Sequence, residues 1–386
     1  MEENFKMVAK TLYGFEDLLA AELLKLGAQN IEKGIRSVSF VGDKGFMYKA
    51  NLGLRTAMKI LKPIHSFKVR NEQDLYDNVY AMNWDAYMDN SKTLAVSATV
   101  HSELFNHSQF IALKTKDAIV DKFRDDTGER PNVDLDLPDL KINVHIDRNQ
   151  CTISLDSSGE SLHKRGYKTA TNIAPINEVL AAGLIMLSGW DGECDFLDPM
   201  CGSGTMLVEA AMIACNMAPN MLVEEFAFER WPDWDLDLFE VIEKSMIKKQ
   251  REFNHKIIGY DKAPSAVEKA MDNVVNAKVD EYVSISNRDF FKTKKQNDKK
   301  LHMVFNPPYG ERLDIEMETF YANIGDTLKQ SYPNTDAWFI TSNLEAIKHV
   351  GLRPSRKIKL YNAGLESRLV KYEMYAGSKK AKKQLK

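Results

Sequence analysis

"CDFLDPMCGSGTMLVEAAMIA", residues 194–214, contains the clearest indication of how this chain folds. It begins with a short apolar run that ends in Asp198, continues through a turn with two glycines, and then shows apolar residues at helical spacing from Thr205 onward. A strand, a tight turn and a helix in this order form the unit from which parallel sheets are built. The same order recurs downstream, so the sequence from about residue 172 predicts a parallel sheet covered by helices.

Seven strand-like runs support this prediction. They are "CDFLD" (194–198), "IIGYD" (257–261), "VSISNRD" (283–289), "LHMVFN" (301–306), "AWFITS" (337–342), "RKIKLYN" (356–362) and "SRLVKYEMY" (367–375). The last two are separated by "AGLE" and predict an antiparallel hairpin at the end of the sheet. Residues 216–255 are interpreted as an insertion between the first two strands, and we expect its Trp231 and Trp234 to be packing residues.

The first 165 residues predict smaller α+β units instead. "FKMVAKTL" (5–12) is strand-like, and "FEDLLAAELLKLG" (15–27) predicts an amphipathic helix ended by Gly27. Residues 107–128 predict a long helix ended by Gly128. "LKINVHID" (140–147) alternates between apolar and polar residues, and "CTISLD" (151–156) repeats the pattern after a short turn, which predicts a hairpin.

Composition limits the class of protein. With 386 residues, 44% of them apolar and 28% charged, the chain is expected to form two or three soluble domains. It contains no apolar run of the roughly 18 residues that span a bilayer, and its start lacks a secretion signal, so we expect a cytoplasmic protein without a membrane segment. The four cysteines form no CxxC pair, which argues against a zinc site and against disulfides.

Charge gives no clear sign of the partner. The net charge of −3 is not that of a histone-like protein, although net charge says little about local basic patches on the surface. The lysine-rich segments 292–300 and 377–386 contain no interleaved aromatic residues. A surface that binds single-stranded nucleic acid usually has them, so we interpret the two segments as a solvated loop and a frayed terminus.

The turn "DPMCGSGT" (198–205) lies where an open α/β sheet binds ligands, beyond the carboxyl end of its first strand. Gly202 and Gly204 would allow a ligand to approach the backbone closely. No lysine follows the second glycine, as in a phosphate-binding P-loop, and no third glycine completes a GxGxxG motif. An acid before the turn and no base within it favour a cationic or zwitterionic ligand. This turn alone would equally fit a tight turn without any ligand.

Acids also end the next two strands. The carboxylate of Asp261 could accept hydrogen bonds from a ribose diol, and Asp289 is placed to contact an adenine amino group. Each acid alone would more often be a helix cap or a loop residue. "NPPYGER" (306–312) then follows the fourth strand, where the prolines end the sheet ladder and make a stiff corner. Three acids and this corner at successive strand ends indicate one common site.

The ordered set "DPMCGSGT", "GYD", "RDF" and "NPPYGER" resembles amino-group methyltransferases that use S-adenosylmethionine. With "SLHKRGY" and "APINEVLAAGLI", nearly the whole chain resembles the bacterial large-subunit (23S) rRNA guanine-N2 methyltransferases. The resemblance implies a ferredoxin-like segment (1–60), a THUMP RNA-binding domain (61–165) and a Rossmann-like, seven-stranded class I methyltransferase domain (166–386). Some family members continue into a second methyltransferase domain, whose activity we expect to be absent here.

The resemblance also implies the site. The cofactor-binding positions are Asp198, Pro199, Cys201, Gly202, Gly204, Thr205, Asp261 and Asp289. At the corner, the side-chain oxygen of Asn306 and the carbonyl of Pro307 would accept hydrogen bonds from the two hydrogens of the target amino group. These bonds would activate the amino nitrogen, which is a poor nucleophile. Pro308 would help keep the corner rigid, and Tyr309 would stack on the flipped base. No metal is required.

The RNA contacts are predicted from basic residues. The candidates are His107, Lys114, Lys116, Lys164, Arg165 and Lys168. Arg165 and Tyr167 have an alternative role, which is to fix the junction between the two halves.

The predicted function is methylation of a guanine N2 in large-subunit rRNA, either as free RNA or as an assembly intermediate. Three alternatives stay open at this point: a tRNA guanine-N2 methyltransferase, a DNA adenine-N6 methyltransferase, and a non-catalytic RNA-binding assembly factor.

Overall fold

The computed structural model describes residues 3–169, 175–308, 316–362 and 364–375. In chain order its strands and helices are β1 (Phe5–Thr11), α1 (Glu16–Leu26), β2 (Gln29–Lys33), β3 (Ser37–Gly42), α2 (Lys44–Gly53), β4 (Ala57–Lys68), α3 (Glu72–Tyr80), β5 (Thr93–His101), α4 (Ser108–Thr127), β6 (Asn132–Val133), β7 (Leu140–Asp147), β8 (Gln150–Asp156), α5 (Glu178–Ser188), β9 (Asp195–Asp198), α6 (Thr205–Ala214), α7 (Leu236–Ile247), β10 (Ile257–Asp261), α8 (Pro264–Asn276), β11 (Val283–Asn287), β12 (Leu301–Phe305), α9 (Met317–Ser331), β13 (Thr335–Thr341), β14 (Arg356–Asn362) and β15 (Leu365–Met374).

The described residues divide into two compact units. The first contains those of Met1–Thr11, Ala20–Leu162 and Val223–Lys244, and the second those of Leu12–Leu19, His163–Leu222 and Ser245–Lys386. Most of the predicted insertion after α6 therefore belongs to the first unit. None of the helices in the described ranges has the length and apolarity to cross a membrane.

The first unit is built on one sheet. Eight strands of the described chain form it, in the order β2-β3-β1-β4-β8-β7-β5-β6. The predicted hairpin of β7 and β8 is confirmed as an antiparallel pair, and the apolar residues of β7, Leu140 to Ile146, are buried as the alternation predicted. Within this unit the ring of Phe228 stacks on Tyr48 at 4.5 Å. Trp231 is buried, which agrees with a packing role.

The second unit contains the predicted parallel sheet. Seven strands from the described residues have the order β11-β10-β9-β12-β13-β15-β14. The pairs from β11 to β13 are parallel, whereas β15 is antiparallel to both β13 and β14. This confirms the predicted fold class, with the last two strands as a hairpin at the end of the sheet.

The strand order locates the ligand-binding edge of this sheet. From β9 the chain builds outward through β10 and β11, then returns to place β12 on the other side of β9. A crevice opens at such a reversal, beyond the carboxyl ends of the two central strands. Below it, Met303 and Phe305 of β12 pack with Ile324 of α9 and Phe339 of β13 in the core. The core therefore fixes the ends of β9 and β12 side by side.

Candidate active site

The turn after β9 is held by hydrogen bonds from both sides. The carboxyl of Asp198 accepts a hydrogen bond from the Met200 amide at 3.0 Å. The Cys201 amide donates to the Tyr260 carbonyl at 2.9 Å, and the Gly204 amide donates to the Cys201 carbonyl at 2.8 Å. Pro199 and Cys201 are both buried. The turn is thus a fixed part of the sheet edge.

Both predicted glycines of this turn have left-handed backbones, with φ of +53° at Gly202 and +81° at Gly204. A Cβ at Gly204 would lie 3.1 Å from the Cβ and 3.2 Å from the Cα of Ala270 on α8. The turn therefore requires glycine for both its conformation and its close packing. Thr205 begins α6, and its buried hydroxyl has no hydrogen-bond partner among the described residues.

Asp261 ends β10, directly beside this turn. Its Oδ2 accepts a hydrogen bond from the Gly202 amide at 2.9 Å, and its Oδ1 accepts one from the Ala263 amide at 2.9 Å. A carboxylate oxygen has two lone pairs, so each oxygen can still accept a hydroxyl of a ligand. The second predicted acid therefore lies against the first predicted turn.

Asp198 is an unusual acid because it is 3% exposed. Burial raises its pKa to about 8, the charge of Asp261 adds to the increase, and the Met200 amide opposes it. At neutral pH the carboxyl is thus mostly neutral, and a cation bound beside it would favour the ionised form.

Asp198→Asn is expected to stabilise the ligand-free protein increasingly as pH rises. An unfolded Asp ionises near 3.8, whereas the folded group holds its proton up to about pH 8. Ionisation of the unfolded chain therefore lowers the stability of the wild type as pH rises through this window. Between pH 5 and pH 9, the melting temperature of the variant should gain at least about 3 °C relative to wild type. Asp272→Asn, on the exposed face of α8, serves as the control; a difference independent of pH would refute the assignment.

Asp289 lies two residues beyond the end of β11. Its Oδ1 accepts a hydrogen bond from the Phe291 amide at 3.1 Å, and its side chain is 36% exposed. The structure therefore places it as the cap of a short 3₁₀ turn, Phe290–Lys292, at the same edge of the sheet.

Asn306 follows β12 directly, as predicted. Its side-chain Oδ1 is buried and accepts no hydrogen bond from the part of the chain that the structure describes. Pro307 is buried and Pro308 is half-buried, while Tyr309 lies outside the described residues. Buried acceptors are nearly always satisfied, so the Oδ1 of Asn306, which lacks a partner among the described residues, is available to a donor from a bound base.

The predicted RNA contacts fall into two groups. In the first unit, His107 precedes α4 and is exposed, whereas Lys114 and Lys116 are half-buried and Lys116 pairs with Asp117. The Nζ of Lys114 lies 4.7 Å from the centre of the Tyr76 ring. Lys114 also lines a cavity of about 440 Å³, together with Arg70, Asn71, Glu72, Gln73, Leu104 and Phe105. Arg70 is not among the predicted RNA contacts, because no local motif marks it.

The group around residues 164–168 differs. Lys164 is exposed, but Arg165 is 1% exposed and its Nη1 donates to Asn220 Oδ1 at 2.8 Å. Lys168 is mostly buried and forms an ion pair with Glu178 at 2.7 Å. The structure therefore disfavours direct RNA contacts for Arg165 and Lys168. Both predictions treated a basic run as surface, because burial could not be read from the residues themselves.

The donor set fits S-adenosylmethionine, which carries a positive charge and a nucleoside. Asp198 offers a buried carboxyl for the charge, and Asp261 offers acceptors for hydroxyls. The glycine turn offers backbone without side chains, as close approach of a ligand requires. Within the described residues, no three His, Cys, Asp or Glu side chains are grouped so that they could hold a metal ion.

Comparisons with known proteins match three family models along the chain. Residues 165–371 match the model of the family "RMKL-like, methyltransferase domain", residues 69–156 match "THUMP domain", and residues 6–61 match "RlmL ferredoxin-like domain". The "Putative RNA methyltransferase slr0064" of Synechocystis sp. is 36% identical over 365 residues, covering 94% of this chain and 95% of that protein.

A second relative and a solved structure extend the comparison. The "Ribosomal RNA large subunit methyltransferase K/L" of Syntrophotalea carbinolica is 36% identical over 97% of this chain but 54% of its own length. The chain thus spans about half the length of this and similar curated relatives. The crystal structure of "SMU.472, a putative methyltransferase complexed with SAH" (S-adenosylhomocysteine) has a TM-score of 0.86 at 29% identity, over 98% of this chain and 100% of that one.

Proposed function

Because the chain belongs to the RMKL-like methyltransferase family, we propose that it methylates the exocyclic N2 amino group of a guanine in large-subunit ribosomal RNA. Family membership confirms the predicted methyltransferase class, S-adenosylmethionine as the cofactor and the THUMP domain. Guanine and ribosomal RNA as the target rest on the resemblance of the motifs and on the names of relatives such as that of Syntrophotalea carbinolica.

The observation that carries the proposal is the buried Oδ1 of Asn306, an acceptor that no donor of the described residues meets, next to the Pro307 carbonyl at the end of β12. The lone pair of an exocyclic amino nitrogen is delocalised into the base, so the nitrogen is a poor nucleophile. Two acceptors that each receive a hydrogen bond from the amino group favour a tetrahedral nitrogen with an available lone pair. They also stabilise the positive charge that develops on the nitrogen. Pro307 and Pro308 hold the acceptors in place before the base arrives.

The cofactor is proposed to lie along the glycine turn. Its residues would be Asp198, Pro199, Cys201, Gly202, Gly204 and Thr205, with Asp261 and Asp289 on the neighbouring strand ends. S-adenosylmethionine, when bound, supplies an electrophilic methyl group. Asp198 would face positive charge in its ionised form, and Asp261 would accept hydroxyl hydrogens while its bond to Gly202 keeps it oriented.

The RNA is proposed to bind the first unit near the cavity at Lys114. Arg70 and Lys114 place two positive charges on a cavity that also includes the carboxylate of Glu72. Lys114 lies over the half-buried ring of Tyr76, and His107 is exposed at the start of α4. Cations beside an aromatic ring suit a phosphate backbone with unstacked bases. The proposal also includes a ferredoxin-like segment at 1–60, an RNA-binding domain at 61–165 and a methyltransferase domain at 166–386. It places the protein in the cytoplasm, with free large-subunit rRNA or an assembly intermediate as the partner.

The test is nucleoside mass spectrometry of large rRNA, small rRNA, tRNA and DNA from a strain that lacks the gene. N2-methylguanine should be reduced in large rRNA and restored by the wild-type protein but not by Asn306→Ala. A loss confined to tRNA would mean that the same reaction acts on tRNA. A loss of N6-methyladenine from DNA would mean that the target base is adenine. No change in any fraction would leave a binding role.

A further inference from the structure

Asn273 of α8 is a buried polar residue that the proposed mechanism does not use. Its side chain is 0% exposed, and it lies one helical turn after Ala270, which packs against Gly204. A buried amide is retained only where its hydrogen bonds are made. The bonds of Asn273 therefore indicate what it does.

The two ends of this amide bind different segments of the chain. Its Nδ2 donates to the carbonyl of Ser203 at 2.9 Å, in the middle of the glycine turn. Its Oδ1 accepts a hydrogen bond from the Thr169 amide at 3.1 Å. Asn273 thus connects the turn to the segment that precedes α5.

The bond to Ser203 completes a chain of hydrogen bonds through the turn. Asp261 Oδ2 accepts from the Gly202 amide, and the carbonyl of the same peptide unit, that of Cys201, accepts from the Gly204 amide. The carbonyl of that second peptide unit is that of Ser203, which accepts from Asn273. Because a peptide unit is planar, the orientation of each N–H is tied to that of its carbonyl.

Such a chain needs an anchor at each end. Glycine has more backbone freedom than any other residue, so the Cys201–Gly202 and Ser203–Gly204 peptides, each of which adjoins a glycine, have little intrinsic preference for one orientation. Asp261 anchors the first peptide and Asn273 the second, and hydrogen bonds in series strengthen each other.

We propose that Asn273 is a positioning residue that keeps the glycine turn in its cofactor-binding conformation. It acts through the backbone of Ser203 and Gly204 and not by contact with a ligand. The inference rests on the assignment of this turn to the cofactor under the proposed function.

The test is Asn273→Asp, which has nearly the same shape and can still accept from Thr169 but cannot donate to Ser203. The control is Asn276→Ala on the same helix, because Asn276 bonds to Tyr167 and Thr169 but not to the turn. Hydrogen–deuterium exchange of the ligand-free proteins reports on the Gly202 and Gly204 amides, and calorimetry reports the affinity for S-adenosylhomocysteine. Melting temperatures record the general loss of stability.

We expect exchange in the turn and the dissociation constant each to rise about tenfold in Asn273→Asp, as loss of one buried hydrogen bond implies. In Asn276→Ala both should stay within about twofold, whatever its melting temperature. If Asn273→Asp does not fold, Asn273→Ala removes the same donor without a buried charge. Unchanged exchange in the turn, or equal changes in the control, would overturn the proposal. Faster exchange with unchanged affinity would overturn the assignment of the turn to the cofactor, and with it the functional half of the inference.

Discussion

Asn306→Ala is expected to reduce turnover by about a hundredfold or more while the affinity for S-adenosylhomocysteine stays within a few-fold, as for removal of a preorganised acceptor. The Oδ1 of Asn306 is buried without a partner in the described chain, and a buried acceptor that no donor meets costs desolvation without adding stability. It becomes useful only when an amino group donates to it. Its removal should therefore affect the reaction and leave the turn after β9 unchanged.

The measurement is kcat and the dissociation constant of S-adenosylhomocysteine, with the melting temperature of the ligand-free protein. The variant should melt at or slightly above the wild-type temperature, because alanine removes a buried acceptor that has no donor within the described ranges. Asn297→Ala, in the exposed lysine-rich loop, is the control and should retain wild-type turnover. A fall in melting temperature with a parallel loss of affinity would show that Asn306 is structural and would remove it from the proposed mechanism.

The sequence predicted the elements of the second unit well because their signals are local. "TMLVEAAMIA" forms α6 with the bounds Thr205–Ala214, and "IIGYD" forms β10 with the bounds Ile257–Asp261. The glycine turn marks the start of α6, and the apolar run of β10 ends at Asp261. The position of the three acids at one edge followed from the rule that parallel strands end together.

What the sequence could not predict depends on contacts between distant residues. No local signal shows that β12 pairs with β9 and not with β11. Nor does any local signal show that Val223–Lys244 belongs to the first unit, whose other residues all precede position 163. Arg165 is an example at the level of one residue: "HKRGYK" has the composition of a surface, but Glu209 and Asn220 make a buried partner set for its guanidinium. The raised pKa of Asp198 likewise follows from burial that tertiary packing provides.

Asp261→Ala is expected to weaken the binding of S-adenosylhomocysteine by about 1–3 kcal/mol, the range for unpairing buried polar groups, which is about 5- to 150-fold. The effect has two sources. The variant loses acceptors for ligand hydroxyls, and it releases the Gly202 amide, which is the first link of the hydrogen-bond chain through the turn. Asp289→Ala should have a smaller effect, because that side chain is 36% exposed and caps only a short turn.

Calorimetry on the wild type, Asp261→Ala and Asp289→Ala measures how much affinity each acid contributes. Asp272→Ala is the control for loss of one surface charge. If Asp261 acts through the turn as well as through the ligand, its substitution should also speed exchange at the Gly204 amide, two residues beyond the bond it loses. It should then be less than additive with Asn273→Asp, because either change alone breaks the same chain. Additive losses would mean that Asp261 contributes through ligand contact alone, and an unchanged dissociation constant would remove it from the site.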